Sequence, residues 1–168
     1  LTCSPNRIAK ALAHYELFKM SLDVPGHIVE CGVFQGASLM RFVKYQTILA
    51  NSFSRDVIAF DTFDEFPDAG SDEDAKAIQP FVDKFGTRSI SVDALTTHLA
   101  DTGVNINVKL IAGDVRETIP RYVEESPHLR ISLINIDLDF YEPTIAALEN
   151  LYDHVSPGGV VVLDDYGS

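Results

Sequence analysis

Tryptophan is missing from the 168 residues, cysteine occurs only twice, and Lys and Arg together number 13 against 25 acids. Each shortage excludes something. Cys3 and Cys31 lie far apart and outside any CxxC or His-rich segment, so they support neither a disulfide framework nor a zinc site. Cys31 is expected to be buried packing. A net charge of -12 leaves no basic face to neutralise phosphates. Nucleic acid and anionic membranes are therefore poor partners, and a small or cationic ligand fits better. No apolar run approaches the roughly 20 residues that span a bilayer. The N-terminus also lacks the segments of a signal peptide, so the expected compartment is the cytoplasm.

What is present is a globular balance, with 46% hydrophobic and 23% charged residues. That is enough for one core, and residues 1–168 are expected to form a single domain. Ile8, Leu12, Tyr15 and Phe18 recur at helical spacing behind Ser4-Pro5, a good cap and first-turn pair, which predicts an opening helix between Ser4 and Asp23. The branched run His27–Val33 predicts a strand that feeds, through a glycine turn, a helix over Gly36–Ala50 with Leu39, Phe42, Val43, Gln46 and Leu49 on one face. The alternation continues with strand Val57–Phe60, helices around Asp72–Phe85 and Ser91–Ala100, and strand Ile106–Ala112. Strand Leu129–Ile136, a helix from Glu142 to about His154, a turn at Ser156–Gly159 and strand Val160–Leu163 complete it. Strands this apolar are covered on both faces, so the fold class is α/β: a doubly wound, Rossmann-like sheet of five parallel strands with ligands at their carboxyl ends. The acidic segment Asp61–Asp74 is long enough to act as a lid or pocket wall.

Function therefore belongs at the strand ends, and there the chain places acids: Glu30, Asp61, Asp114, Asp137 with Asp139, and Asp164 with Asp165. One acid after a strand is ordinarily a turn or a helix cap, but five strands ending this way suggest a ring of carboxylates. Gly32 and Gly36 bracket the first strand-to-helix turn, where missing side chains let a ligand approach the backbone. The spacing is not GxGxxG, so the neighbours decide the cofactor. Asp61, about 30 residues beyond Gly32, is placed to accept from ribose hydroxyls, and Asp114 from an adenine amino group. Carboxylates without nearby Lys or Arg suit a pyrophosphate badly, which favours a cationic, phosphate-free nucleoside such as S-adenosylmethionine over a nicotinamide dinucleotide.

Asp137 precedes the Asp164–Asp165 pair by about 27 residues, the length of one strand-helix-strand passage, so adjacent parallel strands could gather the three acids. Converging carboxylates repel unless a cation joins them. Hard oxygen donors with room for water favour Mg²⁺, with Mn²⁺ or Ca²⁺ as substitutes. The competing reading is that Asp165 caps a turn and Asp164 points elsewhere. The histidines offer less, since His14, His98 and His154 fall within predicted helices and His27 and His128 precede strands, away from the active edge.

The segments Val29–Ser38, Phe60–Pro67, Gly113-Asp114-Val115, Asp137–Thr144 and Pro157–Gly167 resemble, in order, the motifs of the macrocin O-methyltransferase family. Asp137–Glu142 and Gly158–Gly167 are the most discriminating. The resemblance implies a Rossmann-like methyltransferase using S-adenosylmethionine, a divalent metal and a hydroxyl acceptor, often a natural-product sugar. It also implies a cofactor pocket lined by Glu30, Gly32, Phe34, Gly36, Ser38, Asp61 and Asp114, metal ligands Asp137, Asp164 and Asp165, and Asp137 or Asp139 as proton acceptor. Leu138 stands where relatives commonly have glycine, and Pro143 where serine is usual. The sequence ends after the fifth strand, where such folds add an antiparallel pair, so the expectation is a C-terminally incomplete domain. A catechol- or phenol-type O-methyltransferase, a silent S-adenosylmethionine-binding module and a dehydrogenase remain as alternatives, and a homo-oligomer stays open.

Overall fold

The computed structural model describes residues 4–51, 53–64, 72–103 and 107–164. The first helix, α1 (Pro5–Met20), starts where Ser4 accepts a hydrogen bond from the Arg7 amide and Pro5 occupies the first turn. It leads into β1 (His27–Cys31), α2 (Ala37–Leu49), β2 (Val57–Asp61), α3 (Asp72–Phe85) and α4 (Val92–Asp101). Then come β3 (Val108–Ala112), α5 (Val115–Glu125), β4 (Ile131–Ile136), α6 (Tyr141–Leu151), a 3₁₀ turn at Tyr152–His154 and β5 (Val155–Leu163).

Every neighbouring pair of strands is parallel, in the order β3-β2-β1-β4-β5. The order reverses between β1 and β4, and the crevice at such a reversal is where open α/β sheets bind ligands. β1, β2 and β4 are buried nearly throughout, because helices cover both faces. Ile28, Val57, Ala59 and Leu133 pack under Phe18 of α1, Leu39, Phe42 and Val43 of α2 and Leu95 of α4. The alternate residues Val29, Cys31, Ile58, Phe60, Ile134 and Ile136 pack under Val115 and Ile119 of α5 and Ala147 and Leu151 of α6. Cys31 is inert packing, fully buried, with its thiol pushed up by that burial.

Three elements depart from expectation. α1 does not dock by its apolar stripe: Ile8 and Leu12 are exposed, while His14 and Phe18 are buried and Lys10 is half-buried. The buried face is thus the 10, 14, 18 row. α5 has no counterpart in the sequence expectation, since its charged, Pro120-bearing sequence hides a buried row of Val115, Thr118 and Ile119. β5 begins at Val155, and Ser156–Gly159 belongs to it. Val155 pairs with Ile131 and Val160 with Leu133, so a bulge absorbs the extra residues. Pro157 is tolerated because β5 is an edge strand.

Candidate active site

Hydrogen bonds of the parallel sheet continue one residue past the strands and fix the site's floor. The amide of Gly32 donates to Phe60 O (2.9 Å), Asp137 to Cys31 O (2.8 Å), Gly113 to Asp61 O (3.0 Å) and Asp164 to Ile136 O (3.0 Å). Asp61, Asp137 and Asp164 therefore stand along one edge. Gly32, at φ 89°, is glycine for an internal reason: a Cβ there would lie 1.8 Å from the Asp137 carbonyl oxygen. Its missing side chain lets β4 approach β1, a packing reason for glycine beside the expected one of ligand access.

Above this floor lies a cavity lined by Gly32, Phe34, Asp61, Thr62, Ser89 and Val115 on one side and by Asp137–Phe140 and Pro143 on the other. A second cleft runs toward β5, between Leu138–Tyr141, Thr144, Leu163 and Asp164. The Leu138-Asp139-Phe140 segment is the partition, and Asp139 faces both sides. Among the described residues, the non-glycine positive φ angles belong to Phe34 (49°), Phe63 (53°) and Asp139 (61°), all at or beside the first cavity. Such backbone costs roughly 1 kcal/mol or more per residue and persists where surrounding structure enforces it. α3 covers the rim, with Phe81 edge-on to Phe34 at 5.1 Å and Asp74 accepting from the Tyr141 amide at 3.3 Å. The central part of the expected Asp61–Asp74 lid, residues 65–71, lies outside the described residues.

Of the residues expected to line a cofactor pocket, Gly32, Phe34 and Asp61 do so. Asp61 is also a local organiser, since Oδ2 accepts from the amides of Val33 (2.7 Å) and Phe34 (3.0 Å) and Oδ1 from that of Phe63 (2.8 Å). Glu30, Gly36, Ser38 and Asp114 are not among the described lining residues, and each has a physical reason. Glu30 points between the sheet and α2, is fully buried, and has its carboxyl pushed up to about 8 by that burial. Ser38 and Asn135 pull this value back, and the negative charges of Asp137 and Asp61 add to it. Glu30 is thus enclosed and largely neutral, while the carboxylates that line the cavity are Asp61, Asp137 and Asp139. Ser38 sits beneath the turn beside Glu30, and Gly36, at φ 77°, caps α2. Asp114 caps α5, accepting from the Arg116 amide (2.9 Å), and both its oxygens take the Arg116 Nε (3.0 Å each). That guanidinium holds the Asp114 carboxyl below the usual carboxylate range, and Arg116 continues to Glu142 at 3.1 Å.

Asp137 and Asp164 are brought together, as the spacing predicted, while Asp165 lies outside the described residues. What joins the two is Lys10 of α1. Its ammonium pairs with Asp164 Oδ2 and, at 3.4 Å, with Asp137 Oδ2. His14, one turn on, is buried and stacked on Phe42 (centroids 5.0 Å apart), with Nε2 4.0 Å from Asp164 Oδ1. His14 and Lys10 hold the Asp164 carboxyl well below its ordinary range, against the opposing effect of burial. Partial burial disfavours the charge on Lys10, but its ion pairs with Asp164 and Asp137 outweigh that and raise its pKa. His14, which the sequence places in a helix and gives little weight, is buried there. The proximity of both side chains to the acids was missed, and the only available signal was their i, i+4 spacing on a weakly amphipathic helix.

A family profile described as "Macrocin-O-methyltransferase (TylF)" matches residues 11–168. Among curated proteins, the chain is 31% identical over 145 residues to a Streptomyces olivaceus protein named 8-demethyl-8-(2,3-dimethoxy-alpha-L-rhamnosyl)-tetracenomycin-C 4'-O-methyltransferase. That match covers 85% of this chain and 54% of the relative, so the chain spans about half the relative's length. Among solved structures, CalS11, a calicheamicin methyltransferase, superposes with a TM-score of 0.76 at 32% identity, covering 94% of this chain and 64% of that one. The O-methyltransferase NovP superposes with a TM-score of 0.77 at 25% identity, covering 95% of this chain and 65% of that one.

Proposed function

The chain belongs to the macrocin-O-methyltransferase (TylF) family, and from that premise we propose that its protein moves a methyl group from S-adenosylmethionine to a hydroxyl of a small molecule, a natural-product sugar, with help from Mg²⁺. One observation carries the reading. The first cavity has three carboxylates, Asp61, Asp137 and Asp139, and no basic side chain among its described lining residues, so it suits a cation-bearing nucleoside and not a pyrophosphate. The sugar acceptor rests on the relatives' names, which specify a methyl group added to a rhamnosyl unit of tetracenomycin C or to the 3'' position of mycinamicin III.

In this reading the methyl donor occupies the first cavity, over Gly32 and against Asp61 and Phe34, and the acceptor occupies the cleft toward β5. Asp139, on the partition, takes the hydroxyl proton, which must leave for the oxygen to attack. Leu138, Phe34 and Phe140 keep water from the line of transfer. Among the described residues no group of three or more acids or histidines forms a metal site. The pair Asp137 and Asp164, reached together by one ammonium and with Asp165 following Asp164 in sequence, is the place where a hard dication would be held. A dication bound there would lower the pKa of the acceptor hydroxyl and orient it.

The test is methyl transfer from labelled S-adenosylmethionine to nucleotide sugars and glycosylated natural products, with and without a chelator. It is paired with calorimetry of cofactor binding in wild type and Asp164→Asn. The expected result is metal-dependent turnover that disappears in Asp164→Asn, with cofactor affinity kept within about threefold. Loss of cofactor binding in that variant, or turnover indifferent to chelation, contradicts the assignment.

A further inference from the structure

Lys10 occupies the position where the foregoing reading seats a dication. Its Nζ reaches Asp164 Oδ2 and, at 3.4 Å, Asp137 Oδ2, the two described acids of that seat. The lysine side chain keeps 40% of its surface exposed, against 24% for Asp137 and 17% for Asp164. Its tip can therefore leave into water while the acids stay put. The root cannot, because His14 and Phe18 on the same face of α1 are buried, with His14 stacked on Phe42 and Tyr45 Oη donating to Ala11 O at 2.7 Å. A fixed helix carrying a flexible four-carbon stem is suited to deliver and withdraw a point charge.

We infer that Lys10 is an internal stand-in for the metal: its ammonium holds Asp137 and Asp164 together when no dication is bound, and must withdraw for one to bind. The inference rests on the metal reading above. An ammonium and a dication on the same two carboxylates repel each other at contact distance, so binding one disfavours the other. The carboxylates, which would otherwise repel, stay gathered without metal, so the seat is preformed. Metal affinity is then set by an exchange, and is weaker than the bare acids would give. Lys10 is a positioning residue, acting on the seat and not on the reacting atoms.

The test is calorimetric titration of Mg²⁺ into the wild-type protein and its Lys10→Met, Lys10→Gln, Lys10→Arg and Asp164→Asn variants. It is paired with NMR of the Lys10 side chain during the same titration. Lys10→Met and Lys10→Gln are expected to bind Mg²⁺ about five- to tenfold more tightly than wild type, and Lys10→Arg to stay near it. The Lys10 resonance in wild type is expected to move toward that of a free lysine as Mg²⁺ is added, and to stay still in Asp164→Asn. The neutral variants are also expected to melt lower than wild type without Mg²⁺ and to recover with it. If wild type binds Mg²⁺ while the neutral variants bind no more tightly and the Lys10 resonance does not move, the role given to Lys10 is wrong and the metal seat stands. If Mg²⁺ binds none of these proteins, both ideas fall. The NMR arm needs no variant to fold.

Discussion

Replacing Glu30 with glutamine tests the electrostatics of the site's interior. Glu30 is fully buried between β1 and α2, and its carboxyl is raised from 4.5 to about 8. An acid whose folded pKa lies above its unfolded one binds its proton more tightly in the native state. Native stability therefore falls as pH rises between those two values and levels off above the higher one. A shift of this size amounts to about 3 to 5 kcal/mol across the whole window, at 1.36 kcal/mol per unit. Urea unfolding of wild type from about pH 5.5 to about pH 8 is expected to show a loss of roughly 3 kcal/mol attributable to this group. Glu30→Gln, which keeps the shape and remains neutral, removes that part of the slope, so the variant gains on wild type steadily toward alkaline pH. The difference between the two proteins is the informative quantity, because other titrating groups cancel in it. A difference that stays constant across the window refutes the claim that Glu30 is protonated at neutral pH.

Gly32→Ala is expected to destabilise the fold by roughly 3 kcal/mol or more in chemical denaturation, because its Cβ would lie 1.8 Å from the Asp137 carbonyl oxygen at a φ of 89°; a near-neutral result contradicts the close approach of β1 and β4. Asp61→Asn is expected to weaken S-adenosylmethionine binding about tenfold or more and to raise amide exchange at Val33 and Phe34, whose N–H groups its carboxylate holds. Weakened metal affinity with unchanged cofactor affinity would count against this. Asp139→Asn is expected to lower kcat by about 10²-fold or more with Mg²⁺ affinity unchanged; an equal loss of metal binding would make Asp139 a ligand instead of the proton acceptor.

The parallel sheet and the gathering of Asp137 with Asp164 were legible because both depend on local features: branched apolar runs, acids at strand ends and one crossover length between them. α1 was misjudged because the Ile8-Leu12-Tyr15-Phe18 row looks like a core face. The helix docks by Lys10, His14 and Phe18, with Lys10 paired to the half-buried acids Asp137 and Asp164 just past β4 and β5. That pairing belongs to the tertiary structure and leaves no trace in the helix's own periodicity. Glu30 lies at the expected end of β1, but its side chain is buried under α2 and is not among the described residues lining the cavity. Strand alternation was the available clue, because Ile28 and Glu30 share the face covered by α1 and α2. Asp114 shows the opposite limit: an acid after a strand that is, in fact, a cap held by its neighbour two residues on. α5 was hidden because Val115, Thr118 and Ile119 are few apolar positions among charges and a proline.

The most direct test of the account is a crystal of the protein grown with S-adenosylhomocysteine and Mn²⁺, examined by anomalous scattering. The account predicts a peak within about 2.0–2.3 Å of oxygens from both Asp137 and Asp164, with the Lys10 ammonium displaced and the nucleoside against Asp61. A saturated crystal with Lys10 still bridging the two carboxylates and no anomalous peak between them would contradict it.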